Sequence, residues 1–267
     1  MNTDRDLTIV RYGTRPTCKS ECYYNYRGYH EDDAPMVMDY FFWILRDADE
    51  VIVIDTGFSH AAALARKRLP VVAPVDALAR LDIDPAQVRQ LILTHAHYDH
   101  AGNLDLYPNA QITMFRREFE FWQSPLGQRP QYLHHADPRD LDYLAKLHGE
   151  GRVTLIDGPQ HRFRPGVELF ELGGHTPGQM ALRIDMPQGP VILASDAVHY
   201  YEELELDRPF AVIDSLAAMY LAYERIREWL REPGAVMIPG HDPEVMNRFA
   251  PVEPADPSFA VRIGAPA

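Results

Sequence analysis

Residues 91–103 read "LILTHAHYDHAGN" and gather potential metal ligands between an apolar run and a glycine. Four such residues fall within six positions, namely His95, His97, Asp99 and His100. The apolar residues before them predict a short buried strand over 90–94. Open α/β sheets bind their ligands at the carboxyl ends of strands, so this stretch predicts a metal site at a sheet edge.

The spacing of these ligands favours two ions. Side chains two positions apart in extended backbone point the same way, so His95 and His97 can converge on one cation. Asp99 and His100 follow where the chain turns before Gly102, so they point elsewhere and can hold a second ion. This order of ligands after a buried strand favours a metal site over solvated loop histidines.

Three later strand ends each offer one further ligand. They are "GGHTPGQ" (173–179) with His175, "LASDAVH" (193–199) with Asp196, and "IPGHDPE" (238–244) with His241. Glycines beside the two histidines permit turns that aim them inward. Asp196 follows an apolar run, where an unpaired carboxylate is costly, so it is expected to be shared by two cations. The sets are then His95, His97 and His175, and Asp99, His100 and His241, with Asp196 in both.

Strands and helices alternate along the rest of the chain. Apolar runs bounded by turn residues predict strands at 40–46, 50–54, 109–115, 152–157, 167–174, 180–186, 191–197 and within 234–242. Helical patterns cover 59–69, a short segment that starts at Asp84 and Pro85, and 215–230, while 116–148 is predicted to be a mainly helical insertion or lid. The pattern predicts an α/β fold with two helix-covered sheets, in one domain over 1–267.

The helix predicted over 215–230 carries an apolar stripe. Its members recur three or four positions apart, and they are Leu216, Met219, Tyr220, Tyr223, Ile226, Trp229 and Leu230. Such a stripe is typical of a face packed on a core.

Composition narrows the classes of partner. The chain has 267 residues, 46% of them hydrophobic, and a net charge of -13. That charge disfavours nucleic acid and anionic membrane surfaces as partners, and leaves a small-molecule substrate as the expectation. The absence of an apolar signal core predicts a cytoplasmic location. Cys18 and Cys22 are expected to be free thiols, as in a reducing compartment.

The ligand-bearing segments together resemble the metallo-β-lactamase superfamily. "THAHYDHAG" at 94–102 is followed by "GGHTPG", "SDA" and "PGHD" in the expected order, and the resemblance runs from about residue 40 to 245. It implies an αββα sandwich with a dinuclear metal centre at the edge of the sheets. It also implies that Asp55, in "VIDTGF", supports the metal loop from behind the ligands.

The resemblance implies hydrolysis by a metal-bound hydroxide, because divalent ions lower the pKa of bound water from about 15.7 towards roughly 7. Zinc is the first choice for both ions, with manganese, iron or cobalt as alternatives. Within the superfamily, "VIDTGF", "THAHYDHAGNLDLYPNA" and "IPGHDP" look most like the N-acyl homoserine lactonases, which open the lactone ring of quorum-sensing signals. The alternatives are hydrolysis of a thioester, amide or carbamate, and a di-iron redox protein.

One position departs from the lactonase pattern. Those enzymes commonly carry a tyrosine three residues after the bridging aspartate, where this chain has His199, followed by Tyr200. The expected catalytic residues are therefore Asp99, His199 and Tyr200, with His199 or Tyr200 facing the metals. Aromatic side chains near the metal loop predict a substrate wall made of Tyr98, Phe119, Trp122 and Tyr132. The segment "YYNYRGY" at 23–29 is also suited to pair with another subunit in a homodimer.

Overall fold

The computed structural model describes residues 5–264 and shows two β-sheets packed face to face with helices on their outer sides. The predicted αββα sandwich is thus confirmed. Within the described residues, no helix combines the length and apolar character needed to cross a bilayer.

The strands of the described chain are β1 (Arg5–Cys18), β2 (Pro35–Asp47), β3 (Glu50–Ile54), β4 (Leu69–Pro70), β5 (Gln90–Ile92), β6 (Gln111–Phe115), β7 (Val153–Ile156), β8 (Gln160–Arg164), β9 (Val167–Glu171), β10 (Met180–Ile184), β11 (Val191–Ser195), β12 (Val236–Pro239), β13 (Ala250–Pro251) and β14 (Ala260–Gly264). The helices are α1 (Lys19–Cys22), α2 (His60–Arg66), α3 (Pro74–Arg80), α4 (Arg116–Gln123), α5 (Pro130–Leu133), α6 (Pro138–Gly149), α7 (Tyr201–Leu206), α8 (Leu216–Trp229) and α9 (Val245–Arg248). Short 3-10 helices cover Tyr26–Tyr29, Pro85–Gln87 and Leu104–Leu106.

The first sheet has the strand order β13-β14-β1-β2-β3-β5-β6-β7, with β4 paired to β1. Strands β3, β5, β6 and β7 run parallel, whereas β1, β2 and β14 pair antiparallel. The second sheet has the order β12-β11-β10-β9-β8, and β11 and β12 are parallel. The predicted hairpin is present as β2 and β3, joined by a tight turn.

Strand β2 shows why the run "YFFWIL" is apolar throughout. Phe41, Trp43 and Leu45 lie in the core between the two sheets, whereas Phe42 and Ile44 face the core under the outer helices. Successive side chains of a strand point to opposite faces, and both faces of this strand are covered. The central strands therefore hold the loops at their ends in fixed positions.

Helix α8 confirms the predicted apolar stripe over only part of its width. Met219, Tyr223, Ile226 and Trp229 are buried against the second sheet, but Leu216 and Tyr220 are 37% and 36% exposed. Each residue advances about 100° around a helix, which places Tyr220 well to the side of Met219. Leu216 belongs to the first turn, at the margin of the contact.

The segment 23–29 packs on its own chain. Tyr23 forms a β-bridge with Phe210, and both Tyr23 and Tyr26 are buried. The homodimer stays a prediction, as does the single domain over 1–267 with an insertion at 116–148, where the structure has α4, α5 and α6. Cys18 and Cys22 are free, as expected.

Topology brings the predicted ligand loops to one end of the sandwich. The loop after β5 leaves the first sheet, while the loops after β9, β11 and β12 leave the second sheet at the matching end. A metal centre assembled there takes ligands from both layers.

Candidate metal centre

The loop after β5 is held in shape by Asp55. This carboxylate accepts hydrogen bonds from the Thr94 backbone N–H and hydroxyl, both at 2.7 Å, and from His100 Nδ1 at 2.7 Å. Asp55 itself adopts a left-handed conformation with φ of 59°. It therefore clamps both ends of the ligand segment, in agreement with the supporting role that the resemblance implies.

The structure brings the predicted ligands together, and two of its four close sets of ligand atoms match the predicted groups; the other two, His95, His100 and Asp196, and His175, Asp196 and His199, overlap them. The side-chain nitrogens of His95, His97 and His175 lie within 4.8 Å of one another, and His97 Nδ1 is 2.9 Å from His175 Nε2. A second group, with ligand atoms equally close, consists of Asp99, His100 and His241. All of these side chains are buried.

Asp196 lies between the two groups. Its Oδ2 is 3.4 Å from His175 Nε2 in the first group and 3.1 Å from His241 Nε2 in the second. Its Oδ1 is 3.4 Å from His100 Nε2. A Cβ atom at Gly240 would lie only 2.3 Å from that oxygen, so the close approach of the two loops requires glycine.

Bonds to the outer ring nitrogens aim three histidines at the centre of the cluster. His241 Nδ1 donates to the Asp39 carbonyl at 2.7 Å, and His175 Nδ1 donates to the Val212 carbonyl at 2.9 Å. Together with the bond from His100 Nδ1 to Asp55, these bonds turn Nε2 of each ring towards the centre of the cluster, where it can bind a cation.

Several buried polar atoms in the cluster have no hydrogen-bond partner within residues 5–264: His95 Nε2, His100 Nε2, Asp196 Oδ1 and both ring nitrogens of His199. Unpartnered polar atoms are rare in protein interiors, because each one costs free energy. Imidazole nitrogens and carboxylate oxygens are ligands that divalent transition metals prefer. The residues thus fit a dinuclear metal centre.

The electrostatics of the cluster also suit cations. Burial lowers the pKa values of His95, His97 and His175 well below the ordinary value, which keeps these imidazoles neutral and able to bind metal. Burial opposes ionisation of Asp196, but His241 and His100 outweigh it and hold the pKa of that carboxyl well below its usual range. The shared carboxylate is therefore charged.

His199 faces the cluster, and Tyr200 does not. His199 Nε2 lies 3.2 Å from Asp196 Oδ2, and its ring stacks on Phe210 with 3.6 Å between centroids. The Tyr200 hydroxyl instead lies 3.6 Å from Cys22 Sγ and donates to the Val37 carbonyl at 3.3 Å. Extended backbone at Tyr200 turns adjacent side chains to opposite sides, so of the two candidates it is His199 that faces the predicted ligands.

Two adjoining cavities open beside the cluster, and both are lined by His97, His135, His175 and Val212. The first, of about 210 Å³, also exposes Asp99, Asp196, His199 and His241, and we call it the metal cavity. The second, of about 310 Å³, is bordered by aromatic rings, and we call it the aromatic cavity. A larger cavity of about 1110 Å³ lies at the opposite end of the sandwich, beside the turns that precede β3 and β11.

Three of the four predicted substrate residues line these cavities. Tyr98 borders the metal cavity, and Trp122 and Tyr132 border the aromatic cavity, where Trp122 meets the His97 ring edge to face at 5.7 Å. Phe119 is the exception: its buried ring packs 4.5 Å from the ring of His148, an exposed residue of α6, and lines neither cavity. Helix α4 is buried on two sides, and Phe119 faces α6.

Glu118 is a buried residue of this site that the sequence did not reveal. Its Oε1 accepts the Ala96 N–H at 3.0 Å and Trp122 Nε1 at 2.7 Å. Its Oε2 accepts the Thr176 hydroxyl at 2.7 Å and the Gly178 N–H at 3.0 Å. Glu118 thereby ties the loop of His95 and His97 to the loop of His175. Glu120, two positions on, is exposed, and nothing in the sequence separates the two.

Comparison with known proteins agrees with this geometry. Residues 38–245 match the family model of the metallo-beta-lactamase superfamily. The chain is 29% identical to an N-acyl homoserine lactonase of Bacillus sp. over 217 residues, which cover 76% of this chain and 80% of that protein. It is 27% identical to an N-acyl homoserine lactonase of Azorhizobium caulinodans over 194 residues, 67% of this chain and 66% of that protein.

Solved structures share the fold. A quorum-quenching N-acyl homoserine lactone lactonase superposes with a TM-score of 0.72 at 24% identity, over 91% of this chain and 94% of that one. An N-acyl homoserine lactone hydrolase with N-hexanoyl-L-homoserine bound at its catalytic metal centre gives 0.75 at 22% identity, over 97% and 100%.

Proposed function

Because the chain belongs to the metallo-beta-lactamase superfamily, we propose that it is a dinuclear metal-dependent hydrolase that opens lactone rings or related esters. Support for the substrate class comes from curated relatives named as N-acyl homoserine lactonases, which align with about three quarters of this chain. A small-molecule lactone such as an N-acyl homoserine lactone is therefore the first substrate to try.

The observation that carries this proposal is the buried cluster of seven ligands with Asp196 between its two halves. His95, His97 and His175 would hold one ion, and Asp99, His100 and His241 the other. Zinc is proposed for both, with manganese, iron or cobalt as alternatives. Two bound divalent ions polarise a substrate carbonyl and make water nucleophilic at neutral pH.

His199 is the proposed hydrogen-bond donor of the reaction. Its ring lines the metal cavity and is fixed by stacking on Phe210. A fixed imidazole N–H can donate to the oxygen that becomes negative when the carbonyl is attacked, or protonate the leaving oxygen. Asp99 lines the same cavity, and its carboxylate is proposed to accept a proton from the incoming water in addition to binding metal.

The aromatic cavity is proposed to hold the organic part of the substrate. Trp122 and Tyr132 border it, and the Tyr132 hydroxyl donates to Asp214 at 3.0 Å, which fixes the ring. A pocket of this kind suits an acyl chain or a ring and keeps bulk water away from the reacting carbonyl.

A hydrolysis screen tests the proposal. Protein loaded with zinc is given lactones, aryl esters, thioesters and amides in weak buffer, and proton release is recorded, because ring opening produces a carboxylic acid. We expect lactones among the best substrates and no turnover by the Asp196→Ala variant. If thioesters or amides react a hundredfold faster than every lactone, the lactonase assignment is wrong while the hydrolase assignment stands.

A second candidate, hydrolysis of another carbonyl substrate, is favoured by one observation: His199 stands where the lactonases commonly have tyrosine. An imidazole is shorter than a phenol and changes how a substrate fits above the metals. The same screen separates the two candidates, and a visible spectrum of reduced and oxidised protein tests the di-iron alternative.

A further inference from the structure

The mouth of the metal cavity carries two arginines that form no direct ion pair within residues 5–264, Arg66 and Arg68; Asp137 and Asp140 lie near Arg66, and Asp99 lies near Arg68. Arg66 donates to the backbone carbonyls of His134 and Ala136, at 2.7 and 2.8 Å. Arg68 donates from Nε to the Tyr98 hydroxyl at 2.8 Å and from Nη1 to the Arg66 carbonyl at 2.9 Å. All four acceptors are neutral, and neither arginine forms an ion pair with any carboxylate of residues 5–264.

The other charged groups around the cavity add to this imbalance. Apart from the proposed ligands and His199, the ionisable side chains that line it, tyrosines aside, are Arg15, Glu21, Arg66, Arg68, His134 and His135. Glu21 is paired with Arg15 at 3.5 Å. Asp99 and Asp196 are assigned to the cations in the proposed function, so two divalent ions leave the interior positive as well. This contrasts with the net charge of -13 on the whole chain.

Half-buried cations without a counter-ion are costly, and their field attracts an anion from solution. Arg68 is placed to bind one directly. Its Nη2 has no hydrogen-bond partner within residues 5–264. The hydrogen bond from Nε to the Tyr98 hydroxyl holds the guanidinium at the cavity, 5.7 Å from the centre of the Tyr98 ring. A guanidinium binds carboxylates strongly and with defined geometry.

We propose that this cavity selects lactones or esters that carry a carboxylate as well as the bond to be hydrolysed, and that Arg68 binds this carboxylate. The inference rests on the proposed function and narrows its substrate class. The carboxylate takes no part in the chemistry: water adds to the carbonyl carbon, the carbon–oxygen bond of the ring breaks, and the leaving oxygen takes a proton. Arg68 therefore contributes to substrate binding.

Turnover is compared on a matched pair, a γ-butyrolactone with a carboxylate on its ring and the corresponding carboxamide. We expect kcat/KM to be about tenfold or more higher for the carboxylate, mainly through KM, and the difference to shrink in high salt. Arg68→Gln should abolish the preference, and Arg68→Lys should retain part of it. Arg89→Gln is the control, because this exposed arginine precedes β5, at the opposite end of the strand from the metal loop.

A binding measurement keeps the test independent of turnover. Glutarate and its monoamide are titrated into zinc-loaded protein by calorimetry; each has a carboxylate for the metals, so only the second group differs. We expect glutarate to bind about tenfold more tightly, and Arg68→Gln to remove the difference without lowering Tm by more than a few degrees.

The outcomes separate the two proposals. Equal hydrolysis of both lactones, or equal binding of glutarate and its monoamide, overturns the carboxylate inference and leaves the lactonase proposal standing. If neither lactone is hydrolysed but glutarate binding depends on Arg68, the proposed function fails and the anion site remains.

Discussion

His199 and Tyr200 are adjacent in sequence but face opposite directions. His199 lies against Asp196, whereas Tyr200 contacts Cys22 and Val37. This difference turns two candidates for the hydrogen-bond donor into one, and it can be tested with single substitutions.

We expect His199→Ala to keep both metal ions and to lower kcat by roughly tenfold to a hundredfold, because one oriented donor to the developing oxyanion is lost. Tyr200→Phe should change kcat by less than about twofold on the same argument. Steady-state kinetics and elemental analysis are measured together. Loss of an ion from His199→Ala would make His199 a metal ligand, and an unchanged kcat would return it to a packing role.

Glu118 should affect the metal affinity of His95, His97 and His175, because it holds the two loops that carry these ligands. In Glu118→Gln, an amide nitrogen replaces an oxygen that accepts two hydrogen bonds, whichever way the amide is oriented. We expect the affinity for one of the two ions to fall by about tenfold to a hundredfold.

Titration with a chelator measures this loss, and Glu120→Gln is the matched control on the same helix, since the Glu120 side chain is 63% exposed. Equal weakening of both ions, or none, would contradict a specific role for Glu118 at His95, His97 and His175.

The sequence predicted the ligands better than their surroundings. Each ligand follows a strand, and strand ends can be recognised from apolar runs. The seven ligands could therefore be identified from the sequence. The direction of a side chain in a helix or loop depends on tertiary packing, so the sequence could not show that Phe119 faces α6 or which of His199 and Tyr200 faces the metals. Glu118 was missed for the same reason.

Among the elements, strand β1 was missing from the prediction. It is 14 residues long and pairs with β2 and β14 on its two sides, but it contains Arg5, Asp6 and Arg11. Arg5 can be buried because Asp47 and three backbone carbonyls accept hydrogen bonds from the two terminal nitrogens of its guanidinium. Charged residues in a buried strand hide the apolar pattern from which strands are recognised.

Helix α6 contains a carboxyl group that should make stability depend on pH. Burial, with the charge of Asp137, raises the pKa of Asp140 to about 7. The unfolded chain releases this proton near pH 4, so the folded state binds more protons between about pH 4 and 7, and stability falls as pH rises through that window.

We therefore expect Asp140→Asn to flatten the decrease of Tm between pH 5 and 8, since asparagine does not titrate. Thermal melts of the two metal-loaded proteins measure this. The comparison cancels the contribution of the histidines, which both proteins share. Parallel Tm curves for the wild type and the variant would show that Asp140 does not titrate in this range.

At the scale of the whole molecule, the metal centre joins the two layers. Four ligands follow β5 in the first sheet, and His175, Asp196 and His241 follow strands of the second. The two-sheet architecture was predictable because its strands read as separate apolar runs, whereas the pairing of β14 with β1 joins residues too far apart for local patterns to reveal.

Metal removal should therefore destabilise the entire sandwich. An ion at a thousand times its Kd stabilises the folded state by about 4 kcal/mol, and each 1 kcal/mol shifts Tm by roughly 2–4 °C in a chain of about this size. We expect a chelator to lower Tm by about 10 °C and zinc to restore it. The Asp196→Ala protein should respond much less, and an equal response would mean that the chelator acts elsewhere.

The cavity of about 1110 Å³ at the far end has a practical consequence for inhibitor discovery. It is lined by the turns before β3 and β11 and by Arg5. A compound that binds there would stabilise the folded sandwich at the end opposite the metal loops. A screen that ranks compounds by thermal shift would score such a molecule highly, although turnover continued undisturbed. Compounds found by such a screen should therefore be tested for competition with substrate before they are modified further.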